Sequence, residues 1–93
     1  MDSILIKADK LVNGERQEDY GDPKENHDRI AGMWFAYLNA KYGEGHFDVL
    51  PVDVVIMMQM VKIARLMENP DHEDSWTDIA GYAWVGNECT KAQ

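Results

Sequence analysis

The chain has 93 residues, with nine Lys and Arg against seventeen Asp and Glu, a net charge of −8 and a pI of about 4.6. That length fits one domain over residues 1–93 with one modest core, and 45% hydrophobic residues with nine aromatics exclude a disordered chain. The acidity argues against binding long nucleic acids, which requires basic surface to release counterions, but leaves room for one small basic pocket.

Asn13-Gly14, Gly21-Asp22-Pro23, Gly43-Glu44-Gly45 and Asn69-Pro70 punctuate the chain. They divide it into four stretches, each predicted to be a helix. The first runs from Ser3, a good N-cap, to Val12, with Ile4, Ala8, Leu11 and Val12 at helical spacing and Asn13-Gly14 as its stop. The second starts near Pro23, a favourable first helical residue, carries Ile30, Met33, Trp34, Tyr37, Leu38 and Lys41 on roughly one face, and stops at Gly43. The third spans Pro51 to about Glu68 and is apolar almost all round, as expected at the centre of a bundle or in an oligomer interface. Its polar residues Gln59, Lys62 and Arg65 recur every third position and form one stripe. The fourth starts between Asp71 and Asp74, carries Trp76, Ile79, Ala80, Ala83 and Trp84, and fades after Gly86. Period-two alternation is nearly absent, so almost no sheet is expected beyond a short extended piece around His46-Phe47. The fold class is therefore all-α: a compact bundle of about four helices, whose apolar third helix argues for a homo-oligomer.

The single cysteine, Cys89, cannot form an intrachain disulfide, and the acidic start lacks the basic head of a secretory segment. The most apolar window, Val49 to Val61, is too short for the roughly twenty residues of a membrane span. A soluble cytoplasmic chain without a membrane partner is expected.

Three clusters could carry chemistry. Residues 15–28 hold six acids and two bases. Acids at that density could bind a divalent cation through oxygen ligands, or could simply form a solvated linker leading into an acidic first turn. Tyr20 beside Gly21 could lie against a flat ligand or close a core edge. Lys62 and Arg65, one turn apart in an apolar stretch, must face solvent, an acid or an anion. They form either ion bridges to the next helix or a phosphate cradle. Asp74 and Asp78 lie one turn apart, and a chain reversal at Asn69-Pro70 would set them beside the two cations. Gly81, inside the fourth helix, suggests a close approach of backbone or ligand. His27, His46 and His72 show no metal-motif spacing, and Cys89, placed near a frayed end, is a poor nucleophile.

Arg16-Gln-Glu-Asp-Tyr-Gly-Asp-Pro-Lys-Glu-Asn26, Lys62-Ile-Ala-Arg65-Leu66 and Asp74-Ser-Trp-Thr-Asp78-Ile-Ala-Gly81-Tyr82 together resemble a family of small domains encoded by phages and prophages. Those domains look distantly similar to the all-α nucleoside triphosphate pyrophosphohydrolases, the MazG and dimeric dUTPase group. That group is helical, oligomeric and magnesium-dependent, and cleaves nucleotides between the α- and β-phosphates. It binds magnesium through Glu-Glu-x-x-Glu on one helix and Glu-x-x-Asp on the next. The corresponding segments here read Val61-Lys62-Ile63-Ala64-Arg65 and Ser75-Trp76-Thr77-Asp78. Asp78 is retained, while Lys62 and Arg65 stand where acids would bind metal.

The resemblance implies a nucleotide-sized pocket in a protein of the bacterial host cytoplasm. The cations favour binding phosphate directly, with no cofactor required. Lys62 and Arg65 would then hold phosphate, and Tyr20, Trp76 or Tyr82 would stack on the base. Asp74 and Asp78 would orient the cations, with Asn26 in the same ligand-binding set. One alternative is a magnesium-dependent pyrophosphohydrolase with a rearranged site drawn from Glu18, Asp19, Glu25 and Asp78. Another is an acidic protein-interaction module.

Overall fold

A computed structural model describes residues 2–14 and 21–91. These form four helices and, among the described residues, no strand: α1 (Ile4–Asn13), α2 (Pro23–Tyr42), α3 (Pro51–Glu68) and α4 (Glu73–Lys91).

Local chemistry explains the helix ends. Ser3 caps α1, its Oγ accepting from the Ile6 backbone N–H at 3.2 Å. The Asp22 carboxylate accepts from the Glu25 N–H at 3.4 Å, and Pro23 supplies the first residue of α2. That helix stops at Gly43, whose φ of +93° suits a residue without a Cβ. Pro51 opens α3, and the Asp53 carboxylate reaches back to accept from the Leu50 N–H at 2.9 Å. The segment around His46-Phe47 is not extended into a strand; the Phe47 carbonyl accepts from Asn39 Nδ2 at 3.4 Å.

The largest departure from expectation is the end of α4, which continues past Gly86 to Lys91. Gly86 sits where α4 crosses α3, and a Cβ there would lie 3.1 Å from Val55 Cγ1. It is a packing glycine rather than a stop. Beyond it Cys89 is fully buried, packed with Val55 and Val85, and Val12, Val52 and Tyr82 close around them. Cys89 therefore lies inside a packed helix, and its burial pushes the thiol pKa above the ordinary value.

The four-residue connection after Glu68 sets α3 and α4 side by side and antiparallel. Gln59 Nε2 on α3 donates to the Ile79 carbonyl on α4 at 3.0 Å. α1 packs along α4, with Lys7 paired to Glu73 at one end and Val12 against Gly81 at the other.

The molecule is more extended than a compact bundle. Its principal extents are 49 × 31 × 22 Å and its radius of gyration is 14.6 Å, against about 12 Å for a globule of this length. The second half of α2 accounts for part of this: Met33, Phe35 and Tyr37 are largely exposed. The apolar α3 is likewise not enclosed, since only Val54, Val55, Lys62 and Leu66 are buried on it. Among the described residues no helix is long and apolar enough to cross a membrane.

Candidate functional site

A cavity of about 240 Å³ opens where α1, the start of α2, α3 and α4 meet. Leu11, Val12, Pro23 and Val85 give it apolar walls, and Gly21 and Gly81 let backbone approach it closely. Its polar groups are Asn26, His27, Lys62, Asp78 and Tyr82.

Lys62 comes from the buried face of α3 and Asp78 from the second turn of α4. Their Nζ and Oδ2 atoms are 3.1 Å apart, with side chains 11% and 28% exposed. Bringing two charges this far out of water is costly, and a packed apolar pair would serve stability as well or better. The pair is the ion bridge from α3 to the next helix that the sequence allows, and it stands in the cavity wall.

His27 is buried one turn into α2, and its Nδ1 lies 2.7 Å from the Pro23 carbonyl. A carbonyl only accepts, so Nδ1 carries a proton in that contact. The His27 ring meets Tyr82 edge-on, with centroids 6.0 Å apart at 82°. The cavity thus combines an aromatic side, an amide from Asn26 and a charged end.

The structure brings together Asn26, Lys62, Asp78 and Tyr82 from the residues expected at the site, and the Lys62–Asp78 pair forms within one chain. It places Arg65, Asp74 and Trp76 elsewhere: all three are exposed and none lines the cavity. The expected double cation is therefore split, with Lys62 turned inward and Arg65 outward. Trp76 Nε1 donates to the Pro70 carbonyl at 2.9 Å, which ties the indole to the preceding turn. Glu25 is exposed in the first turn of α2. Glu18, Asp19 and Tyr20 lie outside the described residues. Among the described residues no group of three or more His, Cys, Asp or Glu is gathered to hold a metal ion.

Sequence reasoning did not single out His27 as a cavity residue, nor the apolar wall from α1. His27 sits on the buried side of α2, with its ring against Tyr82 and its Nδ1 on the Pro23 carbonyl one turn back. Leu11 and Val12 stand out in the sequence only by their helical spacing.

Comparison with known proteins bears on the family. The chain is 53% identical over 83 residues to the Gene 55 protein of Mycobacterium phage L5, covering 89% of this chain and 49% of that protein. It is 40% identical over 82 residues to the Gene 55 protein of Mycobacterium phage D29, covering 88% of this chain and 50% of that protein. The chain thus spans about half the length of these curated relatives. No solved structure matches it. These matches agree with the expected resemblance to phage-encoded proteins, and none of them carries the finer likeness to the pyrophosphohydrolase group. Residues 3–90, nearly the whole chain and the entire cavity wall, match one family, and the protein belongs to it: the domain of unknown function DUF6378.

Proposed function

We propose that the cavity binds a phosphorylated nucleotide or a nucleotide-derived small molecule. The observation that carries this reading is the Lys62–Asp78 pair in the wall of a cavity that also presents Tyr82 and Asn26. At about 240 Å³ the space lies just below the usual range of roughly 300–1,000 Å³ for small-molecule pockets, so it suits a nucleoside moiety better than a whole triphosphate. The Tyr82 ring would contact the base, and the Asn26 amide would read its edge. Lys62 would exchange part of its bond to Asp78 for a phosphate oxygen, and Asp78 would accept from a sugar hydroxyl or an exocyclic amine. In the unliganded protein Asp78 keeps Lys62 compensated. In a phage setting, such a protein would sequester a nucleotide signal or manage the nucleotide pool.

Thermal unfolding with a panel of linear and cyclic nucleotides, with and without magnesium, tests this. A magnesium-independent rise in Tm is expected for at least one nucleotide. Lys62→Gln should weaken that binding at least about tenfold, the loss of one charge-assisted hydrogen bond worth about 1.4 kcal/mol. No shift with any nucleotide at millimolar concentration sinks the proposal. Magnesium-dependent release of pyrophosphate would replace it with the hydrolase reading.

A further inference from the structure

α3 presents its exposed apolar side chains in a regular register. Ile56, Met60, Ile63 and Met67 are 49%, 60%, 47% and 81% exposed. Their spacings of four, three and four residues are those of a coiled-coil seam. Met57 lies beside it, also about half exposed. The face of α3 that carries Val55, Gln59, Lys62 and Leu66 is already occupied, by α4 and the cavity. α2 packs on α3 as well, yet about half or more of each seam side chain stays exposed. The only charges between Ile56 and Met67 are Lys62, which turns inward to Asp78, and Arg65. At 100° per residue Arg65 lies about 170° around the helix from the centre of the seam.

We propose that a second copy of this chain covers the seam, α3 packing against α3 about a two-fold axis. The five side chains expose on the order of 550 Å², towards the upper end of what a monomer leaves uncovered and about two thirds of the roughly 800 Å² per partner of a standard interface. Self-complementarity selects the occupant. A two-fold interface needs a patch that matches itself, and Ile and Met do so in either helix direction. A chain of net charge −8 repels its own copy over most surfaces, yet this strip carries no charge to repel with and none for a charged partner to read. The proposal stands independently of any ligand in the cavity.

Sedimentation equilibrium of the 93-residue chain is the test. At about 100 µM, a concentration that would saturate even a weak micromolar dimer, the mass should be twice the 10.6 kDa of one chain. Met60→Glu should weaken self-association at least about 100-fold, with the helical circular dichroism unchanged because the side chain touches no core. Met67→Glu, at the most exposed position, should act in the same direction and guards against a folding artefact. A wild-type chain that sediments as a monomer at that concentration overturns the proposal. So does a Met60→Glu chain that keeps the wild-type mass.

Discussion

Asp78→Ala is expected to destabilise the fold by about 2–3 kcal/mol, whereas Lys62→Met should cost less than about 1 kcal/mol, although each removes half of the same ion pair. The asymmetry follows from where the two groups sit. Lys62 is buried along the inner face of α3, with a side chain 11% exposed, while Asp78 is 28% exposed at the cavity edge. Removing the carboxylate leaves the more deeply buried ammonium without its partner, at the inner end of the cavity where less water reaches it. Removing the ammonium leaves a carboxylate that the cavity can hydrate, and Met refills the volume of the lysine stem. The midpoints of urea unfolding measure both costs directly. Equal and small costs would mean that both charges are hydrated and that the pair holds nothing together.

The second large effect separates two glycines on α4. Gly81→Ala should stabilise the native state by up to about 1 kcal/mol, the ordinary gain of alanine over glycine inside a helix. Its added Cβ would meet Val12 Cγ1 at 3.4 Å, an ordinary contact. Because Gly81 lines the cavity, the same methyl group should also reduce ligand binding, so stability and affinity move in opposite directions. Gly86→Val should instead destabilise by about 2 kcal/mol, since even its Cβ would lie 3.1 Å from Val55 Cγ1 in the core. Thermal unfolding of the two variants decides it. An unchanged Tm for Gly86→Val would show that α4 does not rest on Val55.

The helix starts and the second helix's stop were legible in the chain because single residues set them. Ser3, Asp22, Pro23, Gly43 and Pro51 act through their own backbone or nearest neighbours, and such signals need no tertiary partner. Gly86 was illegible for the opposite reason. A glycine late in a helix can end it or let another helix approach, and only the presence of Val55 decides between them. The site was half legible. Lys62 and Asp78 could be paired from helix spacing and one chain reversal. Arg65 could not be excluded in this way, because three residues along a helix turn the side chain by about 60°, and the edge of the buried face happens to fall between the two cations. His27 joins the cavity through the docking of the start of α2 against Tyr82, a tertiary contact that composition and periodicity do not carry.

The packing of α1 along α4 has a consequence for the order of assembly. α3 and α4 meet across a four-residue connection, whereas the Lys7–Glu73 contact joins residues 66 apart. The short-range hairpin is entropically cheap to close and the long-range docking is not, so α1 should add last on folding and detach first on opening. Native-state hydrogen exchange should find the amides of α1 exchanging through a partial opening while those of α3 and α4 await global unfolding. Leu11 and Val12 form one wall of the cavity, so the cavity exists only once this last helix has docked. A molecule bound there would act as a latch on α1, slowing its exchange while leaving the hairpin's own exchange far less affected.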